Sequence, residues 1–166
     1  STTDDREGEI SYDPVPRVPS TAEVRRALEN LPGPLLQTPP AYSAVKIRGV
    51  PAHRRARRGE SLTLPARPVT VFEARLLFFL YPHVRIRWTV SSGTYIRALT
   101  RDLGERLEIG AYLEHLRRTT IGPWLAGDAV RPDQLSRGNL RPAAALDRAN
   151  HGESSPQAAR HSDAAQ

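Results

Sequence analysis

The chain has 166 residues, of which 39% are hydrophobic and 25% are charged, and this length allows one domain, or one domain and an appendage. The absence of cysteine excludes disulfides, thiolate metal sites and cysteine nucleophiles. No apolar run approaches the ~20 residues of a membrane span, and the polar, acidic start is unlike a secretory signal. We therefore expect a cytoplasmic protein. The net charge of +6 and the pI of about 10.4 favour a polyanion such as RNA or DNA, or an acidic membrane, although surplus charge also serves solubility.

The first 19 residues predict an extended segment punctuated by prolines. Its acidic residues lie close together, at Asp4, Asp5, Glu7 and Glu9. Such a cluster can bind a cation, but we interpret it as a solvated acidic edge. The following segment, "STAEVRRALENLPG", predicts a helix, because Ser20 and Glu23 have the spacing of a capping box and apolar residues recur at helical intervals. Pro32 and Gly33 are expected to end this helix.

A proline-rich and then basic stretch follows, "PLLQTPPAYSAVKIRGVPAHRRARRGE". It predicts a short strand over 43–48, a turn, and a short helix that begins at Pro51 and stops at Gly59. From Lys46, the only lysine of the chain, to Arg58 there are six Lys or Arg residues and no acid. The stretch is either a solvated loop or a basic, aromatic-bearing arm that grips a phosphate backbone, and the residues alone leave both interpretations open.

Two strands are predicted in "RPVTVFEARLLFFLYPHVRIRWTVSSG", over 69–80 and 84–90, joined by a turn at Pro82-His83. The second strand alternates strictly, with apolar residues on one face and Arg85 and Arg87 on the other. This pattern predicts an antiparallel pair with one buried face.

The next stretch, "VSSGTYIRALTRDLGERL", joins a strand to a helix. Apolar residues at helical spacing from Ile96 to Leu107 predict a helix with one core face. Tyr95 falls at the edge of that face and Arg97 lies well off it. Gly93 permits an unusual backbone dihedral, and the free N–H groups of a helix start favour an anion. The junction is therefore either ordinary packing or one wall of an active site.

The rest of the sequence predicts short elements. The segment "AYLEHLRRTTIGPW" is expected to form a short helix with Leu113 and Leu116 inward, followed by a strand over 117–121. Two more short helices are expected over 132–135 and 142–148.

Together these elements predict an α+β fold with a mostly antiparallel mixed sheet flanked by helices. We expect a domain over 1–130, which includes the basic arm at about 34–60. A short helical appendage is expected over 131–150 and a disordered tail over 151–166.

Most catalytic and metal-binding motifs are missing from the sequence. The five histidines are scattered without metal-ligand spacing, and there is no P-loop, GxGxxG or GxSxG. Ser91 and Ser92 precede Gly93, but no His or Asp lies near them in sequence, so a serine hydrolase is not favoured. Asp102 and Glu105 are expected to be exposed and to pair with neighbouring arginines.

Four segments carry a family resemblance: "PPAYSAVKIRG", "RPVTV", "SSGTYIRALTRDLGERL" and "GAYLEHLRRTTIGPW", in this order. Together they resemble the bacterial tRNA pseudouridine-55 synthases, the TruB family, over roughly 3–124. The resemblance implies a catalytic domain that isomerises one flipped-out uridine in the T-loop of tRNA, without a metal or organic cofactor. It also implies a cytoplasmic protein that is a monomer at full length and binds tRNA, with neither a membrane nor a metal as partner.

The resemblance implies roles for residues at matching positions. Tyr95 would lie against the target base, Arg97 would pair with the catalytic Asp, and Leu116 would line the uracil pocket. The basic arm would be the mobile thumb that clasps the T-loop. Its expected substrate-binding residues are Tyr42, Lys46, Arg54, Arg55, Arg57 and Arg58.

The sequence also departs from the family. His53 and Ser92 stand where the family usually has Tyr and often has Lys. The family's "GHTGTLDP"-like segment with the catalytic Asp has no counterpart here; Asp4 and Asp5 match a later segment, "TDTxDxEGE". We therefore expect a truncated chain that binds RNA weakly, is inactive alone, and exposes a sheet edge and apolar surface. The alternatives are a non-catalytic RNA-binding module and a structural basic domain.

Overall fold

The structure, a computed structural model, describes residues 1–12, 14, 17–47, 49–60, 62 and 64–139, and divides into two compact units, 1–116 and 117–166. The elements of the first unit are, in chain order, α1 (Thr21–Glu29), β1 (Gly33–Gln37), β2 (Lys46–Ile47), β3 (Val50–Pro51), α2 (Ala52–Ala56), β4 (Arg67–Leu80), β5 (His83–Val90) and α3 (Ile96–Arg106). None of the described helices has the length and apolar character needed to cross a membrane.

Helix α1 forms where the sequence predicts it. The Ser20 hydroxyl accepts from the Glu23 N–H, and the Glu23 carboxylate accepts from the Ser20 N–H at 2.8 Å, so the capping box is complete. The helix buries Val24 and Leu28 against the rest of the unit. It ends at Glu29, before the predicted stop, because the chain soon enters strand β1.

The main sheet has three antiparallel strands in the order β1–β4–β5. Strand β1, which the sequence did not predict, pairs with the first part of β4, from Gly33 opposite Val71 to Gln37 opposite Arg67. Strands β4 and β5 form the predicted hairpin. Their register shifts after Val71 and again after Leu76, so the side of the sheet that each following residue faces also changes.

Helices α1 and α3 pack on one face of this sheet. The buried core consists of Val24, Leu28, Leu31 and Leu103. Half-buried side chains from the sheet, including Leu76, Phe79 and Trp88, pack against this core. The predicted core stripe of α3 is confirmed, because Leu99 and Leu103 are buried. The predicted α+β class with an antiparallel sheet and helices on one side is therefore confirmed as well.

Large apolar side chains remain exposed on the sheet, as the sequence predicts. Leu36 on β1 is 74% exposed, and Phe72 and Phe78 on β4 are 62% and 50% exposed. Arg85 and Arg87 on β5 are also exposed. Within the described residues, β1 and β5 each have one edge that pairs with no other strand.

The basic arm folds as a hairpin followed by one short helix. Strands β2 and β3 pair around Gly49, which has a φ of 82°, and α2 follows directly. A small second core of Val45, Ala52 and Leu64 lies beneath them, with Tyr95 packed against it. The predicted strand and helix are thus confirmed, although the strand covers only Lys46–Ile47. The packing also joins the arm to the start of α3.

Residues 111–116 do not form the predicted helix. The Leu113 N–H donates to the Asp4 carbonyl at 2.9 Å, and the Leu113 carbonyl accepts from the Arg6 N–H at 3.1 Å. These bonds to the N-terminal segment use the backbone groups that a helix would need, so the chain is extended here. Leu116 is 58% exposed, and the prediction that it points inward is wrong.

The extended segment passes close to α3 at Gly104. A Cβ atom placed on Gly104 would lie 2.4 Å from the Ala111 nitrogen and 2.5 Å from the Gly110 carbonyl carbon. Only glycine fits this contact, because both neighbours are backbone atoms that cannot move independently.

The second unit contains the hairpin of β6 (Thr120–Ile121) and β7 (Trp124–Leu125) and the 3-10 turns Ala126–Asp128, Pro132–Gln134 and Arg137–Asn139. The strand predicted over 117–121 is therefore shorter, and the helix predicted over 132–135 is a single 3-10 turn. The predicted helix over 142–148 and the tail over 151–166 lie outside the described residues. The predicted domain boundaries at 130 and 150 stay predictions.

Candidate active site

A cleft of about 350 Å³ opens in the first unit beside Tyr95 and Arg97. Three segments that are distant in sequence build it: the N-terminal segment, the basic arm and the start of α3. Its lining residues are Thr3, Asp5, Glu7, Tyr42, Ser43, Ala44, His53, Arg57, Tyr95 and Arg97. The cleft is therefore a product of the fold, and it combines cationic, anionic and aromatic side chains.

The backbone of Tyr95 is fixed by the side chain of Gln37. Gln37 is only 1% exposed; its Oε1 accepts from the Tyr95 N–H at 2.8 Å, and its Nε2 donates to the Tyr95 carbonyl at 3.1 Å. Tyr95 is the N-cap of α3, and its own side chain makes no capping bond. Gly93, two residues earlier, has an unusual φ of 82°, which glycine permits. The amide of Gln37 thus holds the strand-to-helix junction that presents Tyr95 and Arg97.

Arg97 joins the three segments of the cleft. Its Nη1 donates to Asp5 Oδ2 at 2.8 Å and to the Thr3 carbonyl at 3.1 Å, and its Nη2 donates to the Tyr42 carbonyl at 2.8 Å. The side chain is 24% exposed. In the described part of the chain, its Nε and one hydrogen of Nη2 have no hydrogen-bond acceptor. The guanidinium is therefore held firmly but is not saturated.

Asp5 is part of this site and not of a solvated acidic edge, so that prediction is wrong for Asp5, although Glu7 and Glu9 are exposed. Its side chain is 20% exposed. Burial by itself would raise the pKa of Asp5, but hydrogen bonds from the Thr3 hydroxyl, the Glu7 N–H and Arg97 outweigh it, and the pKa lies below its ordinary value. Asp5 is consequently a carboxylate at neutral pH.

A second ion pair lies one helical turn along α3. Arg101 donates to Asp4 Oδ2 at 2.9 Å, and Asp4 is 17% exposed, so Asp4 is not part of a solvated edge either. Burial by itself would lower the pKa of Arg101, but Asp102 and then Asp4 outweigh it and raise that pKa. The predicted pairing of Asp102 with a neighbouring arginine is confirmed at 2.9 Å. Arg97 and Arg101 together anchor the N-terminal segment on α3.

The arm contributes His53 to the cleft, in contact with Ser43. The carbonyl of Ser43 lies 3.1 Å from the backbone nitrogen of His53 and 3.1 Å from its ring Nδ1. The hydroxyl of Ser43 is buried and has no hydrogen-bond partner within the described chain. This carbonyl therefore fixes both the backbone and the ring of His53.

Four of the predicted site residues line the cleft, namely Tyr42, Arg57, Tyr95 and Arg97. Lys46, Arg54 and Arg58 are exposed elsewhere on the arm. Arg55 forms an ion pair with Glu60 at 2.5 Å. Leu116 is not among the residues that line the cleft. The roles assigned to all of these residues stay predictions.

Sequence reasoning missed Gln37 and misread Asp5. Gln37 bonds to a residue 58 positions away, and Asp5 to one 92 positions away, so local patterns do not report either contact. The match of Asp5 to the family segment was the only available signal. Among the described residues, no group of three or more His, Asp or Glu could hold a metal ion.

Comparison with known proteins identifies relatives that match most of this chain. Residues 1–96 match the family model "TruB family pseudouridylate synthase (N terminal domain)". The protein named tRNA pseudouridine synthase B of Corynebacterium diphtheriae is 41% identical over 143 residues, which is 81% of this chain and 47% of the relative. The protein of the same name from Thermobifida fusca is 43% identical over 145 residues, 82% of this chain and 49% of the relative. The chain thus spans about half the length of the curated relatives that it matches.

A solved structure also resembles this chain. It comes from the crystal structure of a Cbf5–Nop10–Gar1 complex, with a TM-score of 0.53 and 27% identity, and the match covers 68% of this chain and 29% of the other. The similarity in fold agrees with the similarity in sequence. The family model matches more than half of the chain, and the chain therefore belongs to the TruB family of pseudouridylate synthases.

Proposed function

We propose that this chain forms one wall of the active site of a tRNA pseudouridine synthase that converts uridine 55 of the T-loop into pseudouridine. The names of its relatives support this substrate and this reaction. In the reaction the N1–C1′ bond breaks, the uracil rotates, and a C5–C1′ bond forms. C5 gives up its proton and N1 gains one, so the product is an isomer of the substrate. The target base must leave the stacked loop to reach the cleft.

The observation that carries the proposal is that the guanidinium of Arg97 uses only some of its hydrogen-bond donors. Three hydrogen bonds hold it beside Tyr95, and donors on two of its nitrogens remain open toward further acceptors. A carboxylate in the cleft would accept from these two nitrogens in the forked geometry that arginine favours. We infer that this carboxylate is the catalytic Asp of the family, which no segment of the printed sequence matches.

Tyr95 and the arm supply the remaining contacts. The half-buried ring of Tyr95 lines the cleft and offers an aromatic surface for the extruded base. Leu116 would complete the uracil pocket. Arg57 and Tyr42 line the cleft. They and the other basic residues of the arm would contact the RNA, with the basic side chains following its backbone. We further propose a cytoplasmic enzyme, monomeric at full length, that uses neither a metal nor an organic cofactor.

The test is tritium release from tRNA that carries tritium at C5 of its uridines. The 166-residue chain alone is expected to release none. Co-expression with the N-terminal half of the Thermobifida fusca relative is expected to restore release at position 55. Turnover by the chain alone would contradict the proposal, because the acid would then lie within this sequence. A restored complex that binds tRNA without turnover would contradict it as well.

Substitution of Arg97 separates an enzyme from a binding module. In the restored complex, Arg97→Lys keeps the positive charge but loses the fork, and it is expected to abolish most turnover while largely sparing tRNA binding. Arg87→Lys, an exposed position on β5 outside the cleft, is the matched control and should retain turnover. Equal turnover in the two variants would favour a non-catalytic role for Arg97.

A further inference from the structure

The ring of His53 is held in one tautomer by its contact with Ser43. The Ser43 carbonyl lies 3.1 Å from His53 Nδ1, and a carbonyl oxygen can only accept a hydrogen bond. Nδ1 must therefore carry the proton. In the neutral imidazole, the other ring nitrogen, Nε2, is then an acceptor with a free lone pair.

Nε2 of His53 has no hydrogen-bond partner among the residues that the structure describes. The ring is half-buried and lines the cleft beside Arg57 and Arg97. Unlike a carboxylate, a neutral imidazole accepts a hydrogen bond without repelling a phosphate. Nε2 is not among the fully buried atoms, so water can reach it in the free chain, and a donor on the molecule that fills the cleft would take the place of that water.

The chemistry of RNA limits which donor this can be. Phosphate oxygens only accept, so they fit Arg57 and not a neutral Nε2. Arg57 follows His53 by one helical turn, a spacing of about 5–6 Å between Cβ atoms. The two side chains are therefore neighbours at the cleft, as a phosphate and a 2′-hydroxyl are neighbours along one RNA strand. The 2′-hydroxyl is a donor that every ribonucleotide carries and that DNA lacks.

We propose that His53 Nε2 accepts a hydrogen bond from a ribose 2′-hydroxyl of RNA bound in the cleft, with the adjacent phosphate on Arg57. This inference rests on the proposed function, because it takes the T-loop of tRNA as the ligand. It assigns His53 to recognition of RNA against DNA. Recognition of a base N–H by the same nitrogen is the competing outcome, and the test separates the two.

The experiment measures binding of the 166-residue chain to an RNA hairpin with the T-arm sequence, by fluorescence anisotropy at fixed salt. A set of hairpins carries a single 2′-deoxy substitution at successive loop nucleotides. His53→Asn keeps a donor for the Ser43 carbonyl but lacks an atom at Nε2, whereas His53→Gln places an amide near Nε2. Arg57→Gln is the phosphate control.

The wild-type chain is expected to lose about three- to ten-fold in affinity at one deoxy position, the effect of one hydrogen bond. His53→Asn should bind the all-RNA hairpin more weakly by the same factor. The deoxy substitution should then cause no further loss of affinity in this variant, because one interaction cannot be lost twice. His53→Gln should recover part of the loss. Arg57→Gln should weaken all hairpins by one common factor.

The inference would be overturned if His53→Asn and the deoxy substitution gave additive losses of affinity. It would also be overturned if His53→Asn lost affinity but no deoxy position did, a result that would point to a base N–H as the donor. The proposed function is judged separately by a hairpin with a scrambled loop. Equal binding of the T-arm and scrambled hairpins counts against the proposed function, even if one deoxy position still depends on His53. Absence of binding to every hairpin overturns both.

Discussion

The junction that presents Tyr95 and Arg97 depends on a single buried amide, and this gives a sharp prediction for Gln37→Leu. Leucine has a similar volume but leaves the Tyr95 N–H without its partner at 2.8 Å. The Tyr95 carbonyl loses the Gln37 amide at 3.1 Å but still accepts from the Leu99 N–H. One unpaired buried group costs about 1–3 kcal/mol, so we expect the free energy of unfolding to fall by about 1–3 kcal/mol. Leu36→Ala, on the same strand but 74% exposed, is the control and should change it by about 0.5 kcal/mol or less.

Urea denaturation followed by circular dichroism measures this difference. For an m-value of about 2 kcal/mol/M, the expected loss moves the midpoint by about 0.5–1.5 M. Gln37→Glu adds a check of the mechanism, because only its protonated form can donate to the Tyr95 carbonyl. Burial raises the pKa of that introduced acid in the folded state, so its cost should be smaller at pH 5 than at pH 8. A loss for Gln37→Leu no larger than that for Leu36→Ala would refute the reasoning.

Three further predictions concern packing and charge. Gly104→Ala should lower the free energy of unfolding by about 1–3 kcal/mol in urea denaturation, whereas Gly127→Ala, where an added Cβ meets no atom within 4 Å, should not. Because the pKa of Asp5 is lowered in the folded state, its contribution to the free energy of unfolding is present at neutral pH and is lost as the pH falls through the folded pKa. The stability difference between wild type and Asp5→Asn should therefore shrink from pH 7 to pH 2, and a constant difference would contradict this. Hydrogen bonds from Arg17 and then Ser20 lower the pKa of Glu23 from 4.5 to about 2, and an NMR titration of its side chain should show Arg17→Ala moving that pKa back upward.

Local sequence signals predicted the parts of the fold that depend on neighbours in the chain. The capping box at Ser20 and the apolar stripe of α3 both reflect spacings of three or four residues, and both are confirmed. The helix predicted over 111–116 is wrong, because its pattern of leucines could not report that Leu113 bonds to the N-terminal segment. Strand β1 was missed for the same reason, since its pairing with β4 is long-range.

In the candidate site, too, the sequence predicted some residues and missed those whose contacts are long-range. The resemblance predicted Tyr95 and Arg97, and the fold brings both to one cleft with the arm. Asp5 was interpreted as solvated because charge alone favours water. Its actual environment depends on Arg97, 92 residues later in the chain. A carboxylate at low exposure requires such a partner, and only the folded chain shows which one it has.

The pairing of Arg97 with Asp5 also bears on how a second acid would behave. A guanidinium whose charge is already balanced by Asp5 attracts another carboxylate less than an unpaired one would. The geometry nevertheless favours the second acid, because Arg97 is anchored by the Thr3 and Tyr42 carbonyls before that acid arrives and loses little freedom on binding it. Removing Asp5 would therefore strengthen the attraction but loosen the anchor. The ion pair that stabilises the folded chain thus limits, and at the same time orients, the proposed contact with the catalytic acid.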